Sequence, residues 1–152
     1  MKKLLILILF IPFVLGCSKD SNITTVNELE LQIGDFYQGG IIFQLNSSGT
    51  EGKVVSIGDL GIMTRLEGIE ACEDFVFEGY YDWYLPAIGD LSLMFNNIGQ
   101  GADNIGDFSD ARYWSSSASP NDSGVFFNFS TGEVESGWNP VLNARIRAIR
   151  SF

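Results

Sequence analysis

The chain alternates between short runs of β-branched and aromatic residues and two segments with helical hydrophobic spacing. The runs "DFYQGGIIFQL" and "KVVSI" flank the turn-rich "NSSGTEG", a pattern that predicts a β-hairpin. Between residues 66 and 77, apolar side chains recur at three- and four-residue steps while acids occupy the other face. This spacing predicts an amphipathic helix with Cys72 on its buried side. Its apolar positions are Leu66, Ile69, Cys72, Phe75 and Val76.

A second apolar stripe follows Pro86 and predicts a second short helix, with Gly99 in the position of a left-handed C-cap. The stripe consists of Ile88, Leu91, Met94, Phe95 and Ile98. Residues 99–110 are rich in Gly and Asp and predict a loop. Beyond them, "RYWSSS", "GVFFNFS", "GEVESGW" and "NARIRAIRSF" predict short strands in an antiparallel meander. The fold class indicated by this order of elements is α+β.

The segment "GYYDWYLP" places four aromatic residues in front of the second helix. Two interpretations are open: an exposed platform of rings, or a buried corner in which a strand passes into a helix. We favour the corner, with Trp83 and Leu85 facing inward, because rings between a strand layer and a helix bury a large apolar area. The glycine pair Gly39-Gly40 at the entry to the first hairpin predicts a close backbone crossing.

Three arginines, Arg145, Arg147 and Arg150, lie in the last strand-like segment without the alternation of a half-exposed strand. At least one must therefore face inward. A buried guanidinium needs a carboxylate or carbonyl oxygens around it. Asp82, beside Trp83, is the acid that we expect to pair with one of them.

The N-terminal residues 1–16 have the plan of a secretory signal: basic residues, an apolar run and the small residues of "VLGC". This ending resembles the lipobox of bacterial lipoproteins, in which the cysteine, here Cys17, is acylated. The alternatives are an ordinary signal peptide or a membrane helix, although the run is shorter than the ~20 residues that span a bilayer. We expect a polar tether over residues 17–33, one domain over residues 34–152, and a lipid anchor in the bacterial outer membrane, with the external face as one option.

Composition excludes several classes of function. The net charge of −10 argues against binding to nucleic acid, which requires clustered Lys and Arg. The chain has no histidine, so His-dependent nucleophilic triads and the usual His-containing zinc sites are excluded. Cys72 is the only cysteine besides Cys17, and a buried, unreactive thiol is expected. The serines of "YWSSS", Ser115 to Ser117, have no adjacent base and are interpreted as structural. We therefore expect a protein that is not an enzyme.

Four motifs in order resemble one known family. "GDFYQGGIIFQL", "GYYDWYLP" with the helix that follows, "YWSSS" and "IRAIRSF" are similar to the Legionella collagen-like protein C-terminal domain family, across residues 34–152. The resemblance implies a C-type lectin-like fold with small antiparallel sheets, paired terminal strands, two short helices and long loops. The matching positions are Gly39, Gly40, Trp83, Pro86, Trp114, Arg147 and Arg150.

The resemblance also implies a ligand-binding module, for a glycan or a protein. The family's sulfated-glycan binding does not carry over, because that branch uses basic residues and this chain is acidic. The chemistry of the related formylglycine-generating enzymes relies on paired cysteines, which this chain lacks. An enzyme of that descent and a purely structural envelope component remain the alternatives. The helix after "LP" begins with Ala87, a weaker N-cap than the family's usual serine.

Loops set on the scaffold are the expected place for ligand binding. The candidate residues are Asp122, Glu133, Glu135, Trp138 and Asn139, with Asp103, Asp107 and Asp110 nearby. Trp138 can offer a stacking face to a sugar ring, and carboxylate and amide oxygens suit calcium. A solvated acidic rim is the alternative to a metal site, because no fixed ligand spacing is present. "WNP" resembles the "WND" of calcium-dependent lectins, with Pro140 in place of the acid. We therefore predict no obligatory cofactor and keep calcium as an option.

Overall fold

The structure is a computed structural model that describes residues 30–119, 123–139 and 141–152, with only the backbone of Trp138. The predicted signal, the Cys17 lipidation site, Asp122 and the Trp138 ring lie outside the described residues. The described part is α+β, with two short helices and two mostly antiparallel sheets. No helix within these residues is long and apolar enough to cross a membrane.

The four-stranded sheet contains the predicted hairpin. Its strands are β1 (Phe36–Tyr37), β2 (Gly40–Leu45), β3 (Gly52–Val55) and β9 (Ile149–Ser151), in that spatial order. All neighbouring strands of this sheet are antiparallel. Because β9 pairs with β3, the first and last strands belong to one sheet. The predicted close crossing is present: a Cβ at Gly40 would lie 2.5 Å from the carbonyl oxygen of Val55. Gly39 has a φ of +84°, which favours glycine.

The five-stranded sheet departs from a simple meander. Its strands are β4 (Gly61–Met63), β8 (Ala144–Ile146), β5 (Arg112–Ala118), β6 (Gly124–Asn128) and β7 (Glu133–Trp138), in that spatial order. β5 and β8 pair in parallel at Tyr113 and Arg145. The prediction of a single last strand is wrong. The chain leaves one sheet after Ile146 and enters the other at Ile149. Ser56 and Ala148 hydrogen-bond through their backbones, N to O at 2.9 Å, and fix this crossing.

The first helix, α1 (Arg65–Glu73), is shorter than predicted and uses a different contact face. Cys72 is buried as expected, but Leu66 and Val76 are 66% and 63% exposed, so their assignment to the buried stripe is wrong. The helix packs through Gly68, where a Cβ would lie 2.2 Å from Cδ1 of Ile146. The missing side chain lets helix and sheet approach closely, and Gly68 and Cys72, one turn apart, form the buried face of α1.

The second helix, α2 (Ile88–Ile98), has the predicted bounds and apolar face. The Ala87 side chain makes no capping hydrogen bond. Instead, Asp90 Oδ2 accepts the backbone N–H of Ala87 at 3.0 Å. Ser117 Oγ, from β5, accepts the Ile88 N–H at 3.1 Å. Gly99 is not the predicted left-handed cap, since its φ is −107°.

Two apolar clusters form the core. One lies between α2 and the two sheets and includes Phe43, Leu91 and Tyr113. The other includes Trp83, Leu85, Trp114 and Cys72. Trp83 and Leu85 are therefore inward, as predicted, and the aromatic segment is a buried corner and not a platform of exposed rings. Tyr81 and Tyr84 of the same segment are exceptions, at 78% and 37% exposure.

Candidate functional site

Arg147 lies at the crossing between the sheets and is fully buried. Its Nη1 donates to the Ser56 carbonyl at 2.6 Å, and its Nη2 donates to the carbonyls of Gly106 and Asp107, the latter at 3.0 Å. The guanidinium carbon also lies 4.4 Å from the ring centroid of Phe108. Arg147 therefore fastens the loop of residues 99–110 to the body of the domain.

Asp59 is the acid beside Arg147, and sequence reasoning missed it. Its Oδ1 lies 2.9 Å from Arg147 Nε, close in distance but without the alignment of a hydrogen bond. Its Oδ2 accepts from Arg145 Nη1 at 2.7 Å and from the Tyr113 hydroxyl at 3.3 Å. Burial raises the pKa of Tyr113 above its usual value, so this hydroxyl stays protonated and donates. One carboxylate thus pairs with two arginines between the sheets.

Arg150 pairs with Asp82, the acid expected from the sequence. The pair is bidentate, with Nε to Oδ1 at 2.6 Å and Nη2 to Oδ2 at 3.1 Å. Nη1 also donates to Gln38 Oε1 at 2.9 Å, and the guanidinium stacks 4.1 Å from the Tyr80 ring centroid. The hydrogen bonds from Arg150 hold the pKa of Asp82 below its usual range. This pair fastens the aromatic corner to the last strand.

The "YWSSS" segment is used for packing and capping. Trp114 is fully buried, and its Nε1 donates to the carbonyls of Met63 and Leu142, each at 3.2 Å. The buried hydroxyl of Ser115 donates to the Val125 carbonyl at 2.8 Å, and Ser117 caps α2. Both hydroxyls bond to backbone groups, which agrees with the structural interpretation.

The Cys72 thiol is enclosed within the second core cluster. Burial raises its pKa to about 12, so at neutral pH it is protonated and a poor nucleophile. Its sulfur lies 3.9 Å from the Arg147 carbonyl oxygen, a weak hydrogen bond. The thiol therefore belongs to the packing around the Arg147 crossing.

The described side chains of the predicted loop site, Glu133, Glu135 and Asn139, are spread along β7 and the residue that follows it. Glu133 and Asn139 lie at and just beyond opposite ends of β7, and a strand of this length separates its ends by roughly 17 Å. Glu135 accepts hydrogen bonds from Arg112 at 2.8 Å and Asn128 at 2.7 Å, which hold its carboxylate. Asn139 Oδ1 accepts the Val141 N–H at 3.1 Å and shapes its own turn.

The loop of residues 99–110 carries three exposed acids, Asp103, Asp107 and Asp110. Asp110 accepts a hydrogen bond from Gln100 at 3.0 Å. Within the described ranges, no group of three or more acidic or thiol side chains is arranged to hold a metal ion. Calcium binding stays a prediction, because Asp122 and the Trp138 ring lie outside these ranges.

Sequence reasoning also missed a set of polar side chains that we call the polar row: Gln44, Lys53 and Ser151 on the four-stranded sheet, Tyr84 beside β9, and Asp90 on α2. Gln44 pairs with Lys53 across β2 and β3, and Lys53 pairs with Ser151 across β3 and β9. Lys53 Nζ donates to Asp90 Oδ1 at 2.6 Å, and this bond raises the pKa of the lysine. The Tyr84 and Ser151 hydroxyls are 3.3 Å apart. A sequence signal existed: Lys53 is the only lysine of residues 34–152.

Comparison with known proteins adds no relative to this picture. No protein-family model matches the chain, and no curated protein matches its sequence. What the chain does must therefore follow from its own side chains and their arrangement.

Proposed function

We propose that the chain is a non-catalytic ligand-binding module of a lipid-anchored bacterial envelope protein. The observation that carries this proposal is the fastening of the 99–110 loop by Arg147 through the carbonyls of Gly106 and Asp107. Backbone bonds to a buried guanidinium fix the course of the loop without using its acidic side chains. A loop fixed in this way can present recognition groups on a rigid scaffold.

The fold within this proposal is C-type lectin-like, and the family is that of the Legionella collagen-like C-terminal domains. Support comes from the shared sheet of the first and last strands, the two short helices and the long loop segments. The resembling positions also carry the packing: Trp114 is fully buried, Trp83 is nearly so, and Arg147 and Arg150 each have an acid partner. Fold analogy alone does not define a ligand, so the ligand has to be inferred from surface chemistry.

The exposed acids of the loop favour a neutral or cationic partner. Asp103, Asp107 and Asp110 face solvent, and the net charge of the whole chain is −10. An anionic glycan would meet repulsion from this surface at moderate salt. Catalysis by the remaining cysteine is disfavoured, because the Cys72 thiol is buried and its pKa is about 12.

The test is to probe arrays of glycans and of proteins with the full chain, purified in a detergent without a sugar headgroup. Binding to a neutral or cationic partner supports the proposal. Asp103→Asn and Asp107→Asn should each weaken binding at the loop, while Glu70→Gln, an exposed acid on α1, should not. Selective binding to sulfated glycans, or equal effects of all three variants, would contradict the loop as the site.

Membrane attachment has its own test. Replacement of the lipobox cysteine, Cys17→Ser, should release the protein from membranes and abolish labelling by a fatty-acid analogue. Labelling that persists in this variant would contradict Cys17 as the acylated residue.

A further inference from the structure

A short hairpin, residues 75–82, lies between helix α1 and the buried part of the aromatic segment. Phe77 and Tyr80 exchange two backbone hydrogen bonds, at 3.1 and 3.0 Å, around a two-residue turn. The turn residues Glu78 and Gly79 have φ angles of +50° and +84°, and a tight type I′ hairpin requires this sign at both positions. We call residues 75–82 the corner hairpin, and its turn fixes the course of its backbone.

The inner face of the corner hairpin is held against the domain. A Cβ at Gly39 would lie 3.3 Å from Cδ2 of Tyr80 and 3.4 Å from the Phe77 carbonyl oxygen, so the hairpin packs directly on this glycine. Trp83 Nε1 donates to the Tyr80 carbonyl at 3.1 Å. The Phe75 ring meets the Trp83 ring edge to face, with 5.2 Å between centroids. These contacts fix both arms of the hairpin.

The outer face of the corner hairpin carries Val76 and Tyr81. They flank the Phe77–Tyr80 pair, one on each arm, and alternation along each arm turns their side chains away from the domain. Val76 is 63% exposed, and the 78% exposure of Tyr81 is the highest of any large apolar side chain in the described ranges. Within the same ranges the Tyr81 hydroxyl has no hydrogen-bond partner, and its ring contacts no other ring. A single exposed apolar residue is ordinary, but these two protrude together from a fixed backbone.

A tyrosine that protrudes from a fixed backbone suits the recognition of another protein. Its ring offers a large contact area with only two side-chain torsions to order, and tyrosine is enriched at the hot spots of protein interfaces. Because the hairpin backbone is already fixed, binding does not have to order it. Val76 and Tyr81 together therefore fit a concave apolar pocket on a partner.

The charges around the two side chains indicate what borders that pocket. Glu73, Asp74 and Glu78 are exposed, and none of the described ion pairs includes them. Asp82 also lies in the hairpin but is paired with Arg150. Lys and Arg side chains on the partner would complement the three free acids. A second copy of this chain, with a net charge of −10, or an anionic lipid surface would be repelled.

We propose that the corner hairpin docks into an apolar pocket, bordered by basic side chains, on a different protein. Tyr81 is the anchor of this contact, Val76 extends its apolar area, and the free acids meet the basic border. The inference goes beyond the proposed ligand binding, because it uses residues other than those of the 99–110 loop and does not depend on that loop.

Photo-cross-linking of the full chain in the producing bacterium identifies the partner. The photoreactive residue p-benzoylphenylalanine replaces Tyr81 and, in the control, Leu66, which is 66% exposed on α1. We expect a cross-link to a different protein from position 81 and none from position 66. No cross-link from position 81, equal cross-links from both positions, or cross-links only to lipid or to a second copy of this chain would overturn the proposal.

The cross-linked protein is then purified, and its affinity for the full chain is measured with matched variants. Tyr81→Ala should weaken binding about tenfold or more and Val76→Ala about threefold, whereas Leu66→Ala should stay within about twofold of the wild type. Binding of the wild type should also weaken as the salt concentration rises, because salt screens the charges around the pocket. Thermal unfolding of every variant checks that the fold is retained.

An affinity that Tyr81→Ala leaves unchanged would overturn the corner hairpin as the docking surface, and an affinity that does not respond to salt would overturn the basic border. Asp103→Asn separates this inference from the proposed function. Weaker binding through Tyr81→Ala, with Asp103→Asn unchanged, supports the hairpin whether or not the 99–110 loop has a ligand. Weaker binding through Asp103→Asn alone overturns the hairpin and supports the loop.

Discussion

Arg147 and Arg150 are neighbours in the sequence, yet the structure uses them in different ways. Arg147 has a side chain that is 0% exposed and is surrounded by three backbone carbonyls and the carboxylate of Asp59. Arg150 is 7% exposed, but its acid partner Asp82 is 52% exposed. The first arginine fastens one sheet and a loop from inside, and the second fastens the aromatic corner at the surface. We expect the burial of the acid partner, more than the burial of the arginine, to determine how much each ion pair stabilises the folded protein.

The largest expected effect is the loss of Arg147. Arg147→Ala leaves Asp59 with Arg145 alone and removes the donor from three carbonyls, so we expect a loss of ~3 to 5 kcal/mol in the free energy of unfolding. Arg150→Ala should cost about 1.5 to 3 kcal/mol, because Asp82 regains water when its partner is removed. Urea denaturation of both variants measures the difference. Equal losses would remove the distinction between the inner and the outer arginine.

Removing the charge of each acid partner tests the same difference between the two ion pairs. Asp59→Asn leaves two arginines, Arg145 and Arg147, without a carboxylate, and we expect it to cost about 3 kcal/mol. The Asp82 side chain is half-exposed, so Asp82→Asn should lower the free energy of unfolding by about 1 kcal/mol or less. The Asn side chain keeps the shape of the acid, so thermal unfolding reports mainly on charge. A larger effect at Asp82 than at Asp59 would contradict the ranking by exposure.

The two pairs also show what the sequence could predict. Asp82 could be proposed as a partner because it stands beside Trp83, whose ring is predicted to face inward. No sequence pattern indicated Asp59 as a partner of an arginine, because it lies in a short turn after a strand. Its contact with Arg147 joins parts of the chain that are distant in sequence. The bounds and the apolar face of helix α2 were predicted, since its apolar spacing is bounded by Pro86 and Gly99, but the conformation of Gly99 was not. The contact face of α1 was not, because Gly68 contributes by the absence of a side chain, which a count of apolar residues ignores.

The break between Ile146 and Ile149 shows a second limit. The last segment has apolar residues throughout, so its pattern is equally compatible with one strand or with two short strands in different sheets. The crossing is fixed by Ser56, whose hydroxyl accepts the Ala148 N–H at 3.3 Å, and by the carbonyls around Arg147. These partners are remote in sequence. The polar row was missed for the same reason, because register across three strands brings its members together.

A smaller effect is expected at Cys72, which contacts the Arg147 carbonyl from the helix side. Cys72→Ala should cost on the order of 1 kcal/mol, because it removes a small buried side chain next to the crossing. In the wild type the thiol should react slowly with a thiol reagent in native buffer and quickly in denaturant, as its burial and its pKa of about 12 require. Rapid reaction of the native protein would show that this side of the Arg147 region opens readily.

The smallest expected effect is the dependence of stability on pH at the outer pair. The hydrogen bonds from Arg150 lower the pKa of Asp82 from its usual value of 3.8, so the folded protein binds this proton less readily than the unfolded chain. The stabilisation is therefore fully present above the unfolded pKa and is lost as pH falls through the lower folded pKa. We expect the difference in unfolding free energy between the wild type and Asp82→Asn to be constant above about pH 5 and to shrink below about pH 4.

Because half of the Asp82 side chain is exposed, solvent screens the pair and the change is small. Denaturation series for both proteins from pH 7 to pH 2.5 measure it, with the salt concentration held constant. A difference that does not shrink at low pH would mean that Asp82 contributes through its shape and hydrogen bonds, and not through its charge.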